Sequence, residues 1–312
     1  MLSTVQLGDV RRWRRFAFLG LAISMVGCSD AGTSTASATS AQATPDVAPA
    51  STSDASGLPT AAPTTTAPPT TVPNPRFLRP DWLGTRVLPE FSPGSPYGQS
   101  QPTPEVMADR RFATVDMFPA PTEDVFTATV GPVPDDVVAR STYTESCPVG
   151  LDGLSYVQMT FWGFDEQPHT GEMILNADIV DEVLPIFELM YNERFAIEEM
   201  RVMTSEDFSR PPTGDDNITS SFECRPAVGG SGGWSNHAYG LAIDINPFHN
   251  PYQKSNLVLP ELSVAYFDRS DERPGMLLAD DPIVRAFEAI GWGWGGYWSS
   301  AIDYMHVSWN SR

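Results

Sequence analysis

Lysine is nearly absent from this 312-residue chain: Lys254 is the only one, and arginine supplies the rest of the 19 basic residues. Set against 39 acidic residues, they leave a formal charge of −20. That balance excludes a nucleic-acid partner, because neutralising phosphates takes a cationic surface. Cysteine is scarce as well, with only Cys28, Cys147 and Cys224. Three thiols are too few for the cysteine-rich closed sites that structural zinc usually occupies. The apolar run 16–26 is too short to span a bilayer permanently. What the chain does have is 41% apolar residues, enough to bury a core.

Arg11, Arg12, Arg14 and Arg15 precede that apolar run, which ends at Gly27-Cys28, so residues 1–27 are expected to be an export leader. Small or apolar residues directly before a cysteine resemble the lipobox of bacterial lipoproteins, which implies that Cys28 is acylated and becomes the mature N-terminus. The alternative is an ordinary signal peptide with a chance cysteine. If Cys28 carries lipid, Cys147 and Cys224 remain as a pair, free to form a disulfide outside the cytoplasm or to stay reduced and buried. The chain is accordingly expected on the outer face of the cell membrane, held by a lipid anchor and facing the cell wall.

Residues 28–75 are almost wholly Ala, Ser, Thr and Pro without aromatics, and predict a disordered tether that gives reach. Over 76–140 aromatics return, but prolines are scattered throughout and no period of 2 or 3.6 is sustained. This predicts an irregular segment that partly packs on the domain C-terminal to it. Regular patterning begins near Ser141. Strands are predicted at 156–164, 172–176, 195–203, 240–246 and 304–309, and helices at 177–191 and 282–290. The fold class is therefore α+β over 141–312, an antiparallel sheet flanked by helices.

Only four histidines occur: His169, His237, His249 and His306. His237 precedes a predicted strand whose alternation sets Ala242, Asp244 and Asn246 on one face and Leu241, Ile243 and Ile245 on the other. A carboxylate on such an apolar strand needs a nearby cation. Zinc meets that need, and two imidazoles with one carboxylate leave a fourth position open for water.

The pattern Ser235-x-His237-x-x-Gly240-x-Ala242-x-Asp244-Ile245, followed by Asp303-x-x-His306, resembles the M15 zinc metallopeptidases. That family holds D-alanyl-D-alanine carboxypeptidases and L-alanyl-D-glutamate endopeptidases. Cys224-Arg225-Pro226 ahead of the histidine and Asp244-Ile245-Asn246-Pro247 after it are closer to the endopeptidase-like branch. The resemblance implies a zinc peptidase acting on peptidoglycan stem peptides, with His237, Asp244 and His306 as ligands and Asp303 as catalytic acid/base. It further implies that Arg225 meets a substrate carboxylate or developing oxyanion, the alternative being a structural salt bridge, and that Ser235 supports the site by a hydrogen bond.

Asp303 and His306 would face opposite sides of an ideal strand, so Asp303 is expected in the turn before it or at a bulge, where it could instead cap backbone amides. His169 and His249 are expected to be structural. Trp292, Trp294 and Trp298 could line a cleft or simply pack. Rival readings are a D,D-carboxypeptidase and a non-catalytic zinc-bearing wall-binding module.

Overall fold

The computed structural model describes residues 74–227 and 232–311. Residues 1–73, which hold the predicted leader, Cys28 and nearly all of the tether, lie outside the described residues. Among those described, no helix is long and apolar enough to cross a membrane.

The chain is α+β. After 3-10 turns at Pro75–Phe77 and Glu105–Met107, it enters β1 (Ala128–Gly131) and α1 (Asp135–Arg140). β2 (Leu154–Trp162) and β3 (Pro168–Asn176) then form a long antiparallel hairpin, with Leu154 opposite Asn176 and Trp162 opposite Pro168. β1 adds antiparallel to its outer edge, Ala128 facing Met159. β1 shows no apolar alternation in the sequence because Ala128, Thr129 and Val130 are all exposed, so neither face needs apolar residues.

α2 (Val180–Asn192) comes next, with Val183, Ile186, Phe187 and Met190 buried at helical spacing against the hairpin. It starts later than predicted because Asn176 Oδ1 accepts from the Asp178 amide at 3.1 Å, turning the chain before the helix begins. The predicted strand 195–203 shrinks to β4 (Glu199–Met200). Its neighbouring amides are taken by side chains, Glu198 N donating to Asn246 Oδ1 and Val202 N to Glu172 Oε1. After α3 (Ser205–Ser209), β5 (Ile218–Thr219) pairs parallel with β4.

The last third carries the remaining strands: β6 (Ala242–Asp244), β7 (Tyr252–Lys254), β8 (Leu257–Leu259), then α4 (Pro282–Ala289), β9 (Gly293–Trp294), β10 (Ile302–Asp303) and β11 (His306–Ser308). α4 lies where its pattern predicted, with Asp281 accepting from the Ile283 amide and Pro282 at its first turn. The antiparallel pairing is not one sheet but several small ones, ordered β1-β2-β3, β6-β11-β9 and β10-β7-β8. One core joins the first two, including Val157, Met173, Phe187, Ile243, Phe287, Trp292, Trp294 and Val307. Trp292 and Trp294 are thus packing residues.

The segment before β1 is fastened to this body by a buried ion cluster. Glu198 is 1% exposed and meets Arg110 Nε at 2.7 Å, Arg110 Nη2 at 2.9 Å and Arg79 Nη2 at 3.0 Å. Asn217 donates to the same carboxylate at 2.7 Å. Burial alone would raise the Glu198 pKa, but the arginines, Arg110 foremost, hold it below the usual carboxylate range. Leu88, Met107 and Phe112 pack beside this cluster on Phe248 and Tyr266. Removing Arg110 would leave a buried carboxylate under-compensated, so Arg110→Ala should cost about 3 kcal/mol of stability in urea unfolding. A loss below about 1 kcal/mol would show that Arg79 and Asn217 satisfy Glu198 unaided.

Candidate metal centre

His237 sits in a 3-10 turn, Asn236–Tyr239, entered through Ser235, whose side chain accepts from the His237 amide at 3.3 Å. Ser235 thus supports the site through the backbone, as a cap. The turn closes at Gly240, which has φ +65°, and a Cβ there would lie 2.6 Å from the Asn176 nitrogen, so conformation and space both require glycine. The His237 ring is 1% exposed. Its Nδ1–H donates to the Ser221 carbonyl at 2.6 Å, which fixes the tautomer and leaves Nε2 bare.

Asp244 ends β6, with Ile243 and Ile245 turned into the core and its own side chain on the other face. The antiparallel register places His306 of β11 directly opposite Asp244, Val307 opposite Ile243 and Ser308 opposite Ala242. His306 Nδ1 lies 3.0 Å from Asp244 Oδ1, His237 Nε2 lies 3.3 Å from Asp244 Oδ2, and the two ring nitrogens are 3.1 Å apart. One atom from each of the three residues thus falls within 4.8 Å of the others.

Asp303 ends β10 and pairs with Tyr252 of β7, so it lies on a short strand of its own instead of in the expected turn or bulge. A bend at Tyr304 and Met305 separates it from β11, which removes the conflict over strand faces. Gly295 allows the close approach there, since a Cβ on it would sit 2.5 Å from the Asp303 carbonyl oxygen. Asp303 Oδ1 is buried without a hydrogen-bond partner.

Burial disfavours the charged form of Asp244, but His237 and His306 outweigh it and hold the carboxyl well below its usual range. Burial likewise opposes a charge on His237, while Asp244 and then Glu223 raise its proton affinity above the ordinary imidazole value. Asp303 is pushed up to about 7, chiefly by burial, with Asp244 adding and His306 and Arg225 opposing.

Arg225 Nε pairs with Glu223 Oε2 at 2.7 Å, and Ser220 Oγ donates to the other Glu223 oxygen at 3.0 Å. The salt bridge is therefore present, while the guanidinium charge still acts on Asp244 and Asp303. Cys224, between them in sequence, is joined to Cys147. Trp298 is half-buried with its ring 5.4 Å from that of His306, so of the three tryptophans it alone adjoins the cluster. Sequence patterning carries no sign of the Ser221 carbonyl or Glu223, whose roles come from tertiary contacts.

The other histidines lie elsewhere. His169 is held between Asp116 at 2.7 Å and Asp165 at 2.9 Å. His249 is fully buried, bonded to the Arg110 carbonyl and pushed down to about 4 chiefly by burial.

The cluster fits a divalent metal. Two imidazole nitrogens and a carboxylate oxygen converge, and Asp244 and His306 both act on a second, half-buried carboxylate, Asp303, whose Oδ1 has no partner. A cation would balance this local excess of negative charge and lone pairs. The mixed nitrogen and oxygen donor set suits zinc, and three protein ligands are what an open catalytic site uses.

Residues 229–309 match the family model described as D-alanyl-D-alanine carboxypeptidase, in peptidase family M15. The matched stretch contains His237, Asp244, Asp303 and His306 but not Arg225, and it is shorter than the 141–312 over which the motifs suggested a domain. The match supports a hydrolase acting on peptides, and in general on peptidoglycan. No curated protein and no solved structure matches the chain.

The purified protein should bind about one zinc ion by elemental analysis. His237→Ala and His306→Ala should each lose it, whereas His169→Ala, remote from the cluster, should keep it. Full zinc content in either of the first two variants would remove the assignment.

Proposed function

We propose that the chain is a zinc-dependent peptidase that hydrolyses peptidoglycan stem peptides, an L-Ala-D-Glu-type endopeptidase in preference to a D,D-carboxypeptidase. The observation that carries this reading is the convergence of His237, Asp244 and His306 next to the unpartnered Asp303 Oδ1.

His237, Asp244 and His306 would hold the ion. When bound, zinc supplies Lewis acidity that brings the pKa of water toward about 7 and polarises the scissile carbonyl. Asp303 takes a proton from the attacking water at Oδ1 and delivers it to the leaving nitrogen. Arg225 adds a fixed positive charge where the oxyanion develops. Its Nε is held by Glu223 at 2.7 Å, so the guanidinium is fixed in place and not free to turn and grip a terminal carboxylate, which favours the endopeptidase. Ser221 and Ser235 hold the His237 ring and backbone in place.

Export and anchoring belong to the same reading. The arginines and apolar run ahead of Gly27-Cys28 support a leader over residues 1–27, removed to leave a lipid-bearing Cys28 as the mature N-terminus, and the Cys147–Cys224 disulfide suits an oxidising compartment. Cys28→Ser should move the protein from the membrane fraction to the soluble one, and unchanged membrane association would count against the anchor.

Asp303→Asn separates catalysis from metal binding, because it keeps size and hydrogen bonding but removes the basic carboxylate. Zinc content should be unchanged and hydrolysis of purified peptidoglycan should fall by about two to four orders of magnitude. Mass spectrometry of the released ends would identify the bond cut. Wild-type turnover in the variant would overturn the role of Asp303, and loss of zinc with the rate would make it a ligand.

A further inference from the structure

The segment before β1 does more than cover the core. Its Glu90–Gly98 bridge forms a turn in which Phe91 N donates to the Tyr97 carbonyl at 2.9 Å. That turn is stitched to β8 and the chain after it. Gly98 N donates to Oε1 of the buried Glu261 at 2.5 Å, Val258 N to Ser100 Oγ at 2.8 Å, and Gln101 N to the Glu261 carbonyl at 3.0 Å. At Gly98 a Cβ would stand 2.8 Å from that of Leu88, so the turn has no room to shift inward.

This attachment fixes where Tyr97 lies relative to Asp303. The sheet order β10-β7-β8 sets Asp303 opposite Tyr252 and Tyr252 opposite Leu259, and Ser100 and Gln101 dock on β8 and the chain after it. With strands about 4.8 Å apart, β8 is about 10 Å from Asp303. The charge of Arg225 acts on the Tyr97 phenol, and Asp303 and Tyr97 both act on the phenol of Tyr252, so these groups lie within electrostatic reach of one another. Arg225, Tyr97, Tyr252 and Asp303 thus form one interacting group, which Asp303 links to Asp244 and His306 of the metal cluster. Both tyrosines are half-buried, with the hydroxyl free of hydrogen bonds among the described residues. Two unengaged donors beside a hydrolytic centre are suited to peptide oxygens.

We propose that the 90–98 turn is a wall of the substrate cleft and that Tyr97, together with Tyr252, binds the peptide by donating phenolic hydrogen bonds to its carbonyl or carboxylate oxygens. The substrate class rests on the peptidase reading above; the wall does not. Tyr97 lies well outside the matched residues 229–309, so this contact adds a specificity element of the chain's own to the metal centre.

The test uses the full-length protein and a soluble peptidoglycan stem peptide as the probe. Tyr97→Phe keeps the ring and removes only the donor. It should raise KM about three- to tenfold, the worth of one hydrogen bond, and leave kcat within about twofold. Zinc content and unfolding midpoint should match wild type, which a merely structural role for the hydroxyl would not combine with a KM effect. Calorimetric binding of the same peptide to Asp303→Asn, with and without Tyr97→Phe, should show the same loss without turnover. Unchanged KM and Kd, or a loss confined to kcat, would overturn the proposal. A wild-type protein that binds the peptide through Tyr97 but never cleaves it would overturn the peptidase reading and uphold the wall, and one that neither binds nor cleaves it would overturn both.

Discussion

The antiparallel register between β6 and β11 is the constraint on which the site depends. It sets His306 opposite Asp244 while Val307 and Ile243 face the core. A slip of one residue would turn Asp244 or His306 into the apolar core and bring Val307 or Ile243 to the polar face. The core therefore enforces the pairing of Asp244 with His306, and their chemistry need not stabilise the fold on its own account. His237 is brought to them separately, by a capped turn that Gly240 ends, and its ring is oriented by the Ser221 carbonyl.

That division explains which parts the sequence discloses. Alternating apolar residues around Asp244 and near His306 mark both strands, and the same residues repel any placement of the carboxylate in the core, so a cation-binding group is legible there. The helix 282–290 is legible too, because its cap and its buried face are local in sequence. Asp303 is harder to place. Its strand has two residues and pairs with Tyr252, far away in the chain, so no local period announces it. The strand expected at 195–203 fails for a related reason: side chains distant in sequence, Asn246 and Glu172, take the amides that a ladder would have used.

The segment before β1 is the least legible of the described regions, and it is fastened by polar contacts instead of by a periodic apolar face. Arg79 and Arg110 reach a single carboxylate, Glu198, and Glu261 holds the Gly98 amide. Such contacts depend on one residue each and leave no repeating pattern. A buried ion cluster is weak evidence for net stability, but it is intolerant of misplacement, so it defines where the segment docks. The consequence for the site is positional accuracy, since the same segment carries Tyr97.

The Cys147–Cys224 bridge has a consequence in time. Cys224 lies between Glu223 and Arg225 and three residues beyond Ser221, so the cross-link ties down the stretch that orients His237. Before it closes, that stretch is held to the 142–147 region by weaker contacts, such as the hydrogen bond from Cys224 N to Thr142 Oγ1. A chain kept in a reducing environment would carry its metal-binding residues without the rigid support that aligns them. The bridge therefore couples the alignment of the His237 support to the oxidation state of two thiols 77 residues apart.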